Sequence, residues 1–282
     1  MTQREPDRRL RGTGVGLRGS HVPMILADLP AVPWFELLTD NHLAAGGALR
    51  FQAEAIAEKY PVALHGVGMS LGSVDPLDLD YIRQVKDLAN RVRAVHVSEH
   101  IAFASAGGIH SHDLLPLPWT EEALHHLAER VRRVQHELGE RILLENISTY
   151  IEYENAELSE GQFISALCDE TGCGLLLDIN NVYVNAVNHA RDPMELLDAI
   201  PWSRVEEIHV AGHDHRDGLL IDTHGRRVAE PVLELFENSI HRAPEVPVLL
   251  EWDTQVPGWE VLWNEAQRIE AARRQGLGRQ AA

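Results

Sequence analysis

The chain has 282 residues, 44% hydrophobic and 24% charged, the balance of a globular protein long enough to bury a large core. Its 43 acidic side chains outnumber 25 basic ones, and the resulting formal charge of -18 repels phosphate backbones and anionic lipid. Nucleic acid and membrane are therefore poor expectations as partners. With no apolar signal core after Met1 and no run long enough for a bilayer, a cytoplasmic location is expected.

In chain order, residues 1–11 are polar and expected to fray, as are residues 277–282. One domain is expected over residues 12–276. Its first apolar run is GVGLR (14–18), followed by WFELLTD (34–40), a helix over 48–59, VALHGV (62–67), a helix over 79–91 and AVHVSEH (94–100). The clearest helix spans 120–138, where Leu124, Leu127, Val131, Val134 and Leu138 recur at spacings of three and four and Gly139 stands at the C-terminal cap position. His125, His126 and His136 on its polar face read most simply as solvated. Then come RILLENI (141–147), a helix over 160–171, GLLLDIN (174–180), a helix over 193–199, VEEIHVA (205–211), a helix over 228–241, VPVLLEWD (246–253) and a helix over 260–274.

Eight nearly continuous apolar strands, most separated by helices, predict an α/β fold with a single parallel (β/α)8 TIM barrel. A doubly wound open sheet fits less well, since GVGLRGSH lacks the third glycine of a dinucleotide fingerprint. The two cysteines, Cys168 and Cys173, have no metal-knuckle spacing and read as buried hydrophobes.

In such a barrel the chemistry sits where strands finish. The polar residues there are Asp40 and Asn41, His65, Glu99 and His100, Glu145 and Asn146, Asp178 with Asn180 and Asn181, His209 and His213, and Glu251 with Asp253. A carboxylate directly after aliphatics, as in ILLE, LLLD and VLLE, is costly to bury unless its charge is balanced. Beyond Arg18 these strand ends carry almost no Lys or Arg, so a metal ion is the expected counter-charge. Imidazole with carboxylate and no thiolate suits iron, manganese or zinc. His65, His100, Glu145, Asp178, His209 and Glu251, joined by Asp222 and His224 from EIHVAGHDHRDGLLIDTH (207–224), are too many ligands for one ion, so two or three metals are expected, with Glu145 a plausible bridge. Singly, a strand-end histidine is more often a hydrogen-bonded structural residue; six such placements on six strands are hard to attribute to chance. Asp214, His215 and Asp217, in the middle of the same stretch, read as a solvated loop tip, and His21, His42, His110, His112, His189 and His241 as loop or helix residues. Ligand types alone equally allow a metal-dependent sugar isomerase or hydrolase on a xylose-isomerase-like barrel.

The motifs GVGLR, HGVGMSLGS, VSEH, DLLPLPWT, LLENISTY, LLLDINNVYVNAVNH, EIHVAGH, IDTH and LEWD occur in this order over nearly the whole chain. In them the sequence resembles the multinuclear non-haem iron-dependent oxidases, typified by the catalytic subunit of the methanobactin-synthesis oxidase. The resemblance implies two or three iron ions, Fe(II)/Fe(III), with O2 as co-substrate, in a TIM barrel. It implies that His65, His100, Glu145, Asp178, Asn181, His209, Asp222, His224 and Glu251 are metal ligands. Glu99, Asn146, His213, Asp253 and Asp40 are expected to orient ligands or touch substrate. The substrate implied is a ribosomally made, Cys-containing precursor peptide, oxidised at cysteine and presented by a separate leader-recognising protein. One departure is TDN (39–41), where relatives commonly carry a glutamate before the asparagine, which leaves the role of Asp40 open.

Overall fold

The structure, a computed structural model, describes residues 8–279; residues 1–7 and 280–282, within the ends expected to fray, lie outside the described residues. In chain order the elements are β1 (Thr13–Gly16), α1 (Val22–Asp28), β2 (Phe35–Leu38), α2 (Ala48–Ala57), β3 (Val62–His65), α3 (Leu79–Val92) and β4 (Val97–His100). They continue with β5 (Phe103–Ala106), β6 (Ile109–Leu115), α4 (Glu121–Leu138), β7 (Leu143–Glu145), α5 (Glu160–Thr171), β8 (Gly174–Asp178), α6 (Ile179–Asn188) and α7 (Pro193–Ala199). The last are β9 (Val205–Val210), β10 (Asp214–Arg216), β11 (Leu219–Ile221), α8 (Glu230–Ser239), β12 (Val248–Leu250) and α9 (Trp259–Gly278).

Eight parallel strands close into a barrel in the order β1-β12-β9-β8-β7-β4-β3-β2, the TIM-barrel architecture expected from the alternating runs. Each strand is shorter than its apolar run, and β3, β4, β7 and β8 end on His65, His100, Glu145 and Asp178. Outward side chains such as Val62, Leu64, Leu175 and Leu177 pack under the helices and are fully buried. Helix starts follow local chemistry. Asp78 accepts from Asp80 N and Tyr81 N, Thr120 accepts from Ala123 N, and Ser159 with Gln162 forms a capping box.

The described part of the N-terminal end, from Arg8, packs on the barrel. Leu10 is buried with Trp34, Ala63 and Leu249 and closes the floor of the barrel, while Arg8 donates to Ala57 O at 3.2 Å. Trp34 fits because Gly14 has no side chain: a Cβ there would lie 2.4 Å from the indole. At the other end, α9 continues to Gly278.

Two hairpins and two helices were not anticipated. β5–β6 turns at Gly107–Gly108, and β10–β11 turns at Asp217–Gly218, all four at positive φ, the geometry of tight primed turns. Of the expected loop tip, Asp214 and His215 are paired in a ribbon and Asp217 stands in its turn; Asp214 is held by Arg226 Nε at 2.7 Å. α1 has only seven residues, and α6 begins directly on Asp178 with no intervening loop.

Candidate metal centre

Period-two alternation turns His65, His100, Glu145, Asp178, His209 and Glu251 toward the barrel axis from six strands or their ends. Register aligns them: His100 lies beside Glu145, and Asp178 beside His209. All six are buried.

In a first group, His65 Nε2 and His100 Nε2 lie 3.1 and 3.0 Å from Glu145 Oε2 and 3.2 Å from each other. Their other nitrogens are occupied, His65 Nδ1 with Ser98 Oγ at 2.8 Å and His100 Nδ1 with Gly66 O at 3.0 Å. A carbonyl only accepts, so the proton of His100 sits on Nδ1 and the Nε2 lone pair faces the centre. Ligand atoms about 2.1 Å from one ion are spaced about 3 Å apart along an octahedral edge, as these are.

A second group adjoins it. Glu145, Asp178, His209 and Glu251 each offer an atom within 4.8 Å of the others. His209 Nδ1 lies 3.0 Å from Glu251 Oε2 and 3.5 Å from Glu145 Oε1. A third group follows from Glu251, whose Oε2 is 3.1 Å from His224 Nδ1, with Asp253 Oδ2 3.3 Å from the same nitrogen; Asp222 Oδ1 lies 2.6 Å from His224 Nε2, across the ring. Glu145 joins the first and second groups and Glu251 the second and third.

Asp178 shows how the fold serves this arrangement. Its Oδ1 caps α6 by accepting from Asn181 N at 2.6 Å, which leaves Oδ2 for the centre. Asn146 clamps it on both sides, donating to Asp178 O at 3.0 Å and accepting from Asp178 N at 2.9 Å, and Asn181 Nδ2 donates to Asn146 O. Thus Asn181 Oδ1 also faces inward.

These residues fit a metal. Glu145 Oε2, Asp178 Oδ2, Asn181 Oδ1 and His224 Nε2 are buried polar atoms without hydrogen bonds, all on residues expected to be ligands. Each costs about 1–3 kcal/mol unless something else binds it. For His224 Nε2 the short approach of Asp222 is a contact without hydrogen-bond geometry, which suits two ligand atoms better than a donor and acceptor.

Electrostatics agree. Burial lifts the Asp178 carboxyl well above its ordinary range; His224 opposes this, and Glu145, Asp222 and Glu251 add to it. Burial opposes protonation of His100, His209 and His224, yet carboxylates outweigh it: Glu145 for His100, Glu36 and Glu251 for His209, Asp222 and Glu251 for His224. All three imidazoles stand well above their usual range. So dense a set of carboxylates calls for positive charge, which protons or a cation can supply.

The remaining expected residues surround this centre. Glu99 accepts from Met69 N at 2.7 Å and from His100 N at 2.6 Å, fixing the end of β4. Asp40 accepts from Val67 N at 3.0 Å and Tyr81 Oη at 2.8 Å, so it shapes the loop after β3. His213 reaches Asn180 Oδ1 at 2.7 Å, and Asn180 donates to Asp222 Oδ1 at 2.8 Å, a chain leading back to His224. Asp253, 42% exposed, is paired with Arg18 and lies 3.3 Å from His224 Nδ1, the exposed member of the third group.

Two carboxylates escaped the sequence reading. Glu36 Oε2 and Glu207 Oε1 lie 3.2 and 3.4 Å from His209 Nε2, on the side away from Glu251, and Glu207 also bonds His96. With Nε2–H pointing at Glu36, His209 presents Nδ1 to the centre, a carboxylate–histidine arrangement that fixes tautomer and ring orientation. Glu36 and Glu207 lie within β2 and β9, below the strand ends. The signal was Glu207 and His209 two residues apart on one strand.

Of the histidines set aside, His126 is not simply solvated: its Nε2 contacts Ser73 O at 2.8 Å, while His125 and His136 are exposed. His21 and His42 are buried, bonded to Pro257 O and Leu49 O, and His189 bonds Thr149. His241 lies in a short helical turn. His110 and His112 fall on β6, where the side chain of His112 lies outside the described residues. Cys168 and Cys173 are buried, as expected, with sulfurs 3.9 Å apart.

Residues 12–274 match the family model described as RiPP precursor modification enzyme MbnB/TglH/ChrH. A UPF0276 protein of Acaryochloris marina (strain MBIC 11017) is 49% identical over 261 residues, 93% of this chain and 94% of its own length. Among solved structures, a xylose isomerase domain protein of Alicyclobacillus acidocaldarius aligns with a TM-score of 0.59 at 17% identity, covering 94% of this chain and 98% of that one. Endonuclease IV of Thermus thermophilus aligns with a TM-score of 0.60 at 15% identity, covering 94% and 99%. At such identities the two structures speak for the fold alone. No helix among the described residues is long and apolar enough to cross a membrane.

Proposed function

Because the chain belongs to the MbnB/TglH/ChrH family of RiPP precursor modification enzymes, whose substrates are ribosomally made peptides, we propose that it oxidises a cysteine of a precursor peptide at an iron centre with O2 as co-substrate. The observation that carries this reading is the continuity of the candidate ligands. Glu145 and Glu251 each stand between two groups of buried ligand atoms, an arrangement suited to two or three ions held side by side. Iron held by these residues would supply redox chemistry toward the substrate thiol and dioxygen.

In this reading His65, His100, Glu145, Asp178, Asn181, His209, Asp222, His224 and Glu251 hold the metals. The protein's own work is to fix lone pairs. Gly66 O keeps the proton of His100 on Nδ1, Glu36 keeps that of His209 on Nε2, and Asn146 holds Asp178 with Oδ2 inward. Glu99 pins the backbone of His100, and Asp40 and His213 shape the rim the peptide must cross. A separate leader-recognising protein belongs to the proposal, following the resemblance.

The ligand types alone also allow a metal-dependent isomerase or hydrolase, the competing reading. The test is oxygen uptake and peptide mass change after anaerobic loading with Fe(II) or Zn(II). Iron-loaded protein is expected to consume O2 with a Cys-containing peptide and not with its Ser counterpart. Equal turnover of a substrate by the zinc form would favour the competitor, because zinc has no redox chemistry.

A further inference from the structure

A cavity of about 340 Å³ opens along α6, whose first turn carries the candidate ligands Asp178 and Asn181, between the segment after β7, the first turn of α5, and α7. We propose that it is a subsite for a cationic side chain, lysine or arginine, of the peptide substrate, lying three or four residues from the modified cysteine. The proposal rests on the peptide-modifying reading above.

Three observations converge on this occupant. The cavity has apolar walls from Leu117, Trp119, Val182 and Leu196, and acidic groups at Glu160 and Glu195. A long aliphatic stem with a charged tip satisfies both, since lysine and arginine lay their methylenes on apolar surface and keep the head at a polar rim. The volume is at the small end for ligand pockets, suited to a side chain rather than a whole cofactor.

Charge is also unbalanced there. Arg191 is paired with Glu152, and Asp192 is used in capping α7. Glu160, mostly buried, has neither a hydrogen bond nor an ion pair among the described residues. Burial pushes its carboxyl up to about 7, with Arg191 opposing. An incoming ammonium or guanidinium would give this carboxylate the partner it lacks.

Finally, α6 ties the cavity to the chemistry. Asp178 and Asn181 at its start face the centre, while Val182, Asn185, Ala186 and His189 along the same face line the cavity. Asn185 accepts from Thr149 N at 2.6 Å and donates to Ile147 O at 2.9 Å, fastening α6 to the segment that follows Glu145. From Asn181 to His189 the helix advances about 12 Å, at about 1.5 Å per residue. An extended peptide covers that in three or four residues, at about 3.3 Å each.

The test is fluorescence anisotropy on iron-loaded protein without oxygen. The probes are fluorescein-labelled Cys-Gly-Gly-Lys and Lys-Gly-Gly-Cys, their counterparts with Glu for Lys, and their counterparts with Ser for Cys. In at least one orientation Lys is expected to bind about tenfold tighter than Glu, and Glu160→Gln to reduce that ratio to about twofold while leaving the Cys-over-Ser ratio unchanged. Equal binding of Lys and Glu peptides with the Cys preference intact would overturn the subsite and leave the peptide reading standing. A Lys preference that survives in Glu160→Gln would overturn it too. A Lys preference lost in Glu160→Gln, with no Cys preference, would keep the subsite and sink the cysteine reading.

Discussion

His65 Nε2 and His100 Nε2 face each other at 3.2 Å with a single oxygen of Glu145 about 3 Å from both. A proton can bridge only two of these three atoms, whereas a metal ion accepts all three lone pairs. Glu145→Ala is therefore expected to lose at least one metal per chain and to lower oxygen uptake on the order of 100-fold or more. Metal analysis of the purified variant checks it; unchanged metal content would remove Glu145 from the centre.

Glu36 touches the candidate metal centre through His209. Glu36→Gln keeps shape and removes the charge that holds Nε2–H, so metal affinity should fall by about 10–100-fold with the fold intact. Competition with a chelator measures the affinity, and circular dichroism the fold. An unaltered affinity would mean that His209 is oriented by Glu207 or by packing alone.

Asn146 makes reciprocal hydrogen bonds to the backbone of Asp178. Asn146→Ala takes the side-chain acceptor from the buried Asp178 N–H, at a cost of about 1–3 kcal/mol, while Asp178 O, at the N-cap of α6, keeps the first helical N–H. Melting of the metal-free variant should fall by several degrees, and metal loading at Asp178 should weaken with it. A melt indistinguishable from wild type would show that the clamp is replaceable by water.

Glu160 gives a pH dependence away from the candidate metal centre. Its carboxyl is raised from an ordinary 4.5 to about 7 by burial, with Arg191 opposing. Between those values the folded state holds a proton that the unfolded state has released, so stability falls as pH rises through this window. Glu152, Arg191, His189, Asp192 and Glu195 line the same cavity. Glu160→Gln should therefore match wild type in melting temperature near pH 4 and exceed it near pH 8. Parallel pH profiles for the two proteins would contradict this.

The barrel was legible because aliphatic runs alternating with helical periodicity leave few topologies. The mouth was legible because ILLE, LLLD and VLLE each set a carboxylate against a greasy strand with no nearby cation. What stayed hidden has physical reasons. α6 begins on the last strand residue, so LLLDINNVYVNAVN gives no turn signal between strand and helix, and its asparagines and valines are weak helix formers. Glu36 and Glu207 lie inside the barrel, where charge is tolerated only because His209 and His96 stand across from them, and those distances are tertiary. The hairpin at Asp217–Gly218 carried a readable turn signal, overridden by the polar look of the stretch. His126 read as solvated because helical periodicity does not report the loop after β3 that folds against it.

The central claim is that carboxylates shared between adjoining ligand groups hold more than one iron. Iron analysis with Mössbauer spectroscopy after anaerobic Fe(II) loading tests it most directly. At least two irons per chain are expected, magnetically coupled after oxidation, with coupling lost in Glu145→Ala. A single isolated iron, or protein that retains none, would contradict the account.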